Sequence, residues 1–368
     1  TREPVHADCA DADRFRADLA VISDTAVFAE DVPSLTASIR GLVHWELTVR
    51  GPENDLHSGY YGGVVRNPIE ALAHVIDELY KGWEEIDIDG HLVDKFYAEG
   101  GLDLPDPYRP PNEYVCLKDK TNPQRTALGR VKLDVQNVKA RVEPVDAFKQ
   151  GIWGIRPRNR EQHFALDALL DDKIKLVTLV GKAGSGKTLL AIAAGLLKCT
   201  EENVFQRLLV SRPIFPLGKD IGYLPGDVEE KLNPWMQPIF DNVEFLMGLT
   251  QKDKKRGRSY KELLDMGMMQ IEPLTYIRGR SIPNQYMIVD EAQNLTPHEV
   301  KTIISRAGEG TKIVLTGDPY QIDNPYVDQT NNGLVHTVNR FRSEKIAAHV
   351  TLVKGERSEL AEIAANVL

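Results

Sequence analysis

The sequence predicts an α/β protein built on a parallel sheet with helices on both faces, preceded by a small β connector and by a separate α+β fragment. Three observations carry this expectation. From residue 151 onward short apolar runs alternate with helical patterns, the order of a parallel sheet covered on both sides. Three of those runs, Lys175 to Val180, Tyr286 to Val289 and Lys312 to Leu315, end in clusters of glycine, hydroxyl and acidic residues, as strands do when their carboxyl ends line a ligand crevice. All 22 lysines fall at Lys81 or later, so the first 80 residues differ in kind from the rest.

A chain of 368 residues is long enough for two or three domains, and 42% hydrophobic with 27% charged residues is a globular composition. There is no apolar stretch of the ~18 residues a membrane helix needs. Cys9, Cys116 and Cys199 are far apart and odd in number, which suits a reducing interior. The chain opens at Thr1 without a methionine or a charged-then-apolar leader; this reads as a processed or truncated start with no secretory signal, and a cytoplasmic protein is expected. Residues 1 to 80 hold 6 Arg against 14 Asp and Glu, so −8 of the total charge of −9 belongs to them and −1 to the remaining 288 residues. A near-neutral remainder can grip nucleic acid only through local basic patches.

In the front piece, Leu19 to Ile22 and Leu42 to Val49 are strand-like, and Ile69, Leu72, Ile76 and Leu79 recur at helical spacing after Pro68. The segments VISDT, VRGPENDLHSGYYGG and NPIEAL resemble the lid of the carnosinase-like and aminoacylase-like di-zinc metallopeptidases. That resemblance implies a zinc-ligand role for Asp24 and an oxyanion-stabilising role for His57 across a dimer. The His-x-Asp strand, bridging Asp and Glu-Glu pair of a complete zinc site do not follow in order, and His6-Ala7-Asp8 sits too close to Asp24 to replace the first. Residues 1 to 80 are therefore read as an orphan lid fragment, the product of a fusion or a composite gene. Residues 81 to 150 are read as a β-rich connector, with strand-like runs at Glu113 to Lys118 and Val131 to Val142 around a proline-rich loop.

The chemistry is expected in residues 151 to 368. After Lys175 to Val180 comes Gly181-Lys182-Ala183-Gly184-Ser185-Gly186-Lys187-Thr188 and an Ala/Leu-rich helix, a G-x-x-x-x-G-K-T loop in its strand-loop-helix setting. Glycines let the backbone wrap phosphate, the helix N-terminus supplies partial positive charge, Lys187 reaches the β/γ-phosphates and Thr188 suits Mg²⁺. Asp290 is placed to bind the same metal and Glu291 to polarise the attacking water. Asp318 and Gln321, after the third strand, are candidates for sensing the γ-phosphate. No Asn-Lys-x-Asp sequence is present, which favours ATP over GTP.

The segments GIRPRNREQ, GKAGSGKT, SRPIFPLGKDIGYLPGDVEEKLNPWMQPI, YIRGRSIPN, IVDEAQNLTPHEVK, LTGDPYQID and KGERSELA resemble the PhoH-like ATPases, especially the form with a PIN ribonuclease domain ahead of the ATPase. The resemblance runs from about residue 80 to the end. It implies a P-loop nucleotide-hydrolase core similar to superfamily 1 helicases, a hexameric ring, and activity on RNA. By the same resemblance Gln162 reads adenine and Arg357 acts as an arginine finger into the nucleotide of its own or a neighbouring subunit. The lid fragment stands where the acidic PIN domain is expected, so nuclease activity is not carried over. Arg278 with Arg280, and the basic run Lys252 to Arg258, are candidate phosphate contacts for single-stranded or structured RNA. The leading expectation is an Mg²⁺-dependent ATPase acting on RNA. The alternatives are a non-catalytic, ATP-gated interaction protein and, further off, a metallopeptidase.

Overall fold

The computed structural model describes residues 82–105, 109–134, 139–213, 228–250, 260–277 and 279–356. Asp24, His57, the run Lys252 to Arg258, Arg278 and Arg357 lie outside them. Backbone proximity divides the chain into Thr1–Tyr80 and Lys81–Leu368, and everything described below belongs to the second unit.

Its N-terminal part is a five-stranded sheet in the order β1-β3-β4-β5-β2, formed by β1 (Trp83–Ile88), β2 (Leu102–Leu104), β3 (Tyr114–Asp119), β4 (Thr126–Asp134) and β5 (Lys139–Pro144), with α1 (Gly90–Ala98) between β1 and β2. β1 runs parallel to β3 and the other pairs are antiparallel. The run Val131 to Val142, expected as one strand, is the end of β4 and the start of β5, and Val131 and Val142 are cross-strand partners. One face of this sheet closes over α1 through Val93, Phe96, Val115, Leu117, Val131 and Val142. Alternation along β3 turns Tyr114 the other way, onto Phe164 of the next helix, α2 (Arg160–Leu170), with ring centroids 4.8 Å apart. The Tyr114 hydroxyl donates to Asp167 at 2.9 Å, Arg130 pairs with Asp167 and Asp171, and Arg160 lies over Trp83.

The second sheet is six-stranded and wholly parallel, in the order β11-β6-β10-β9-β7-β8. Its strands are β6 (Leu176–Gly181), β7 (Arg207–Ser211), β8 (Met269–Ile271), β9 (Gln285–Val289), β10 (Lys312–Gly317) and β11 (Ala347–Leu352). The strands at its centre are continuous apolar runs because both faces are covered. Alternate side chains feed different cores: Tyr286, Ile288, Val314 and Leu179 join Phe164, Leu190 and Ile192 on one side, whereas Met287, Val289, Ile313 and Leu315 join Val300, Ile303 and Leu334 on the other. Between the strands lie α3 (Lys187–Leu196), α4 (Val228–Thr250), α5 (Tyr260–Asp265), α6 (Pro297–Ile304) and α7 (Gly333–Phe341). Helix starts follow local chemistry. Asn159 accepts from the Gln162 amide at α2, Thr296 and Glu299 form a reciprocal capping box with Pro297 at the first turn of α6, and Asn332 accepts from Val335 at α7.

The register sets up the site. Strand β10 lies between β6 and β9, with Gly317 opposite Val180 and Leu315 opposite Val289. The carboxyl ends of these strands therefore open at one edge of the sheet, with the three motifs side by side.

Candidate functional site

The loop between β6 and α3 is shaped by two glycines with left-handed backbones, Gly184 at φ +83° and Gly186 at φ +92°. Gly186 caps α3, so the first N–H groups of that helix, which have no partner within it, face the cleft. Close packing also excludes side chains here: a Cβ on Gly181 would meet the Leu352 carbonyl oxygen at 2.4 Å. Lys187, mostly buried, donates from Nζ to the carbonyl oxygens of Gly181 at 2.6 Å and Lys182 at 3.1 Å, which holds the ammonium inside the curl of the loop. The Ser185 hydroxyl is buried without a hydrogen-bond partner.

Asp290 follows β9, and its Oδ1 accepts from the Thr188 hydroxyl at 2.7 Å and from the Thr316 hydroxyl at 2.6 Å. Hydroxyl and carboxylate oxygens from β10, α3 and the end of β9 thus meet at one point. Among the described residues no group of three or more His, Cys, Asp or Glu side chains could hold a metal ion. Thr188 and Asp290 fit Mg²⁺ on different grounds: it takes hard oxygen ligands and is commonly held by one or two protein groups with the rest from phosphate and water. The buried Ser185 hydroxyl, the positive end of α3 and the enclosed ammonium likewise fit a polyphosphate. Lys187, Thr188 and Asp290 line a cleft of about 330 Å³ together with Asn242, Glu291, Asp318 and Gln321.

Glu291 adopts a left-handed backbone at φ +54°, uncommon for a residue with a side chain. Burial, and then the neighbouring Asp290, push its carboxyl up from the ordinary value, while Gln293, Arg212 and Lys187 pull the other way. Gln293 is fully buried and ties the motifs together. Its Nε2 donates to Glu291 Oε2 at 2.6 Å and to the Gln321 carbonyl at 2.8 Å, and its Oε1 accepts from the Asp318 amide at 3.1 Å. Asp318 in turn accepts from the Ala183 amide of the glycine loop at 3.2 Å.

The expected residues Gly181, Ala183, Gly184, Ser185, Gly186, Lys187, Thr188, Asp290, Glu291, Asp318 and Gln321 gather at this edge. Gln162 does not line the cleft: its amide is buried, accepting from the Arg158 N–H at 2.9 Å and donating to the Ser185 carbonyl at 3.1 Å, so it braces the loop from behind. Arg280 is exposed and paired with Glu272 at 2.9 Å. The segment before Arg357 is anchored in the site, since the Glu356 amide donates to the Gly184 carbonyl at 3.0 Å and its carboxylate accepts from Asn159 at 2.9 Å. Sequence reasoning missed Gln293 as a hub, Asn242 at the rim, Thr316 beside Asp290, and Arg212, which donates to Glu291 Oε1 at 3.3 Å. Gln293, Arg212 and Thr316 stood in quoted motifs without a role assigned to them, and Asn242 carries no local signal; each meets its partner through strand order or helix packing.

A family model described as "PhoH-like protein" matches residues 154–366. The chain belongs to the PhoH-like family. Among its relatives, Protein PhoH2 of Bacillus subtilis (strain 168) is 50% identical over 295 residues, covering 79% of this chain and 65% of its own length. Protein PhoH2 of Mycolicibacterium smegmatis is 37% identical over 300 residues, covering 80% and 64%. This PhoH-like chain thus spans just under two thirds of the length of these relatives. A solved structure, the Pif1 helicase from Candida albicans, is similar over 58% of this chain and 44% of its own at 15% identity and a TM-score of 0.30, a likeness too loose to argue from. A second family model, "Peptidase dimerisation domain", matches residues 37–140. It agrees with the metallopeptidase-lid resemblance and reaches into the five-stranded sheet; His57 lies within it and Asp24 ahead of it. The PhoH-like part has the α/β fold of a P-loop NTPase, with a parallel sheet. No helix of the described residues is long and apolar enough to cross a membrane.

Proposed function

We propose that this protein binds ATP with Mg²⁺ in the cleft at the carboxyl ends of β6, β9 and β10, hydrolyses it, and couples hydrolysis to unwinding or remodelling of RNA. The observation that supports this most is the meeting of Thr188, Asp290, Glu291 and Asp318 with the glycine loop at one edge. Phosphoryl transfer asks for positioning and charge stabilisation more than for covalent chemistry. The loop amides and the N-terminus of α3 cradle the phosphates, and Lys187 turns from the loop carbonyls to the β/γ-phosphates. Thr188 and Asp290 would hold Mg²⁺, which when bound would supply positive charge against the phosphates. Glu291 orients and polarises the attacking water, its raised carboxyl suited to taking a proton. Asp318 and Gln321, tied to Glu291 through Gln293, report the state of the γ-phosphate to the catalytic carboxylate.

On this reading residues 1–80 are a lid-like fragment, 81–150 a β-rich connector and 151–368 the ATPase domain. Arg357 serves as an arginine finger within an oligomer, with a hexameric ring as the expected form. The RNA part rests on the sequence resemblance and on the basic run Lys252 to Arg258. ATP turnover measured with and without single-stranded RNA tests both halves: Mg²⁺-dependent turnover that RNA stimulates is expected. Turnover indifferent to RNA would remove the coupling, and no turnover at all would remove the ATPase.

A further inference from the structure

Arg212 lies just past the last residue of β7, beside the catalytic motif. Ser211 is the register partner of Val289, and the Asp290 amide donates to the Ser211 carbonyl at 2.9 Å, so the chain leaves β7 alongside Asp290-Glu291. From there Arg212 donates through Nη2 to Glu291 Oε1 at 3.3 Å, while Gln293 donates to Oε2 at 2.6 Å. Each carboxylate oxygen is thus held by a donor from a different segment, one just after β7 and one from the turn after β9. Arg212 is three-quarters buried, with 23% of its side chain exposed, and it is not among the residues lining the cleft, whereas Glu291 is. The contact its guanidinium makes is with the Glu291 carboxylate, so it can fix the rotamer of the group that does the chemistry. Holding both oxygens fixes the rotation of the carboxylate about its Cγ–Cδ bond, and near-attack geometry is sensitive to displacements of about 1 Å.

We propose that Arg212 is a positioning residue for hydrolysis, its guanidinium and the Gln293 amide together holding the Glu291 carboxylate toward the cleft. The inference rests on Glu291 acting on the attacking water. Three variants and their combination test it: Arg212→Ala, Arg212→Lys, Glu291→Gln and the double variant Arg212→Ala with Glu291→Gln. Each is measured for equilibrium binding of a fluorescent ATP analogue, for single-turnover hydrolysis and for Tm. Arg212→Ala should bind ATP within about twofold of wild type and lose about tenfold or more in hydrolysis, as misorienting a catalytic group does. Lysine keeps the charge but not the fork, so Arg212→Lys should fall between the two. In the Glu291→Gln background the alanine change should cost less than about twofold, because the group it acts through is already gone.

Four results would overturn the proposal: unchanged hydrolysis in Arg212→Ala, a parallel loss of ATP binding, a lysine variant no better than alanine at equal Tm, or a full further loss in the double variant, which would place Arg212 on the nucleotide itself. If Arg212→Ala melts below the assay temperature, Arg212→Lys decides alone and must lose hydrolysis with binding intact. Equal turnover by wild type and Glu291→Gln would instead refute the role of Glu291 and this inference with it. A normal Glu291→Gln defect beside a normal Arg212→Ala would refute the positioning role only.

Discussion

Gly317→Ala is the smallest change that should break the link between Asp318 and the Glu291 carboxylate. Gly317 ends β10 without a positive φ, so alanine meets no backbone strain there and its effect must come from space. A Cβ at Gly317 would lie 2.3 Å from Gln293 Oε1 and 2.7 Å from Leu334 Cδ2, both within a fully buried neighbourhood. Both contacts are too short to keep, and Leu334, packed in the core with Val300 and Leu315, has little room to give, so the larger displacement falls on the closer Gln293 amide. Gln293 therefore shifts, and with it the bonds to Glu291, to the Gln321 carbonyl and from the Asp318 amide. Overpacking of this kind costs about 1–3 kcal/mol, and each buried hydrogen bond lost adds about 1 kcal/mol net. With one of these three bonds broken and the others bent, a destabilisation of about 2–4 kcal/mol is expected in urea denaturation, with ATP hydrolysis down by about tenfold or more at temperatures where the variant is folded. Stability within about 0.5 kcal/mol of wild type together with normal turnover would show that Gln293 is not the hub it is taken to be.

Lys187→Ala should abolish hydrolysis and most ATP binding, because the phosphates lose their mobile countercharge; near-normal turnover would refute the site assignment. Deleting residues 1 to 80 should leave ATPase activity of Lys81–Leu368 largely intact, since the site described lies wholly in that unit, and collapse of solubility on deletion would show a shared core. Lys312 is fully buried at the start of β10, donates to the Ala168 and Asp171 carbonyls at the end of α2, and burial lowers its ammonium to about 7. The folded chain then gives up this proton near pH 7 while the unfolded chain keeps it to about pH 10.4, so wild type should gain stability relative to Lys312→Met between those limits, by up to about 1.4 kcal/mol per pH unit. A stability difference between the two that is flat from pH 7 to 9, read by urea denaturation, would mean Lys312 titrates normally.

The candidate site was legible because its signals are local: an apolar strand followed by the glycine loop, and two more apolar strands ending in Asp290-Glu291 and Gly317-Asp318. What the sequence did not reveal depends on which elements are neighbours. Arg212 reaches Glu291 only because β7 lies next to β9, and Asn242 reaches the rim only because α4 packs near α3. Strand β1, Trp-Glu-Glu-Ile-Asp-Ile, went unnoticed because an edge strand with charged outward residues lacks an apolar run; its ends Trp83 and Ile88 are the buried positions. The single run expected from Val131 to Val142 proved to be two paired strands, since β propensity does not show where a chain turns back. Gln162, expected from the resemblance to read adenine, lies next to the loop with both ends of its amide hydrogen-bonded within the protein.

The central claim is that one cleft both holds ATP and hydrolyses it with Glu291, and Glu291→Gln separates the two acts most directly. With Mg²⁺ present, equilibrium binding of ATP and its single-turnover hydrolysis are measured on wild type and on this variant. The account predicts binding within about twofold of wild type and hydrolysis lower by roughly 10² or more, the usual cost of removing a positioned base. Hydrolysis at the wild-type rate, with ATP bound normally, would contradict it.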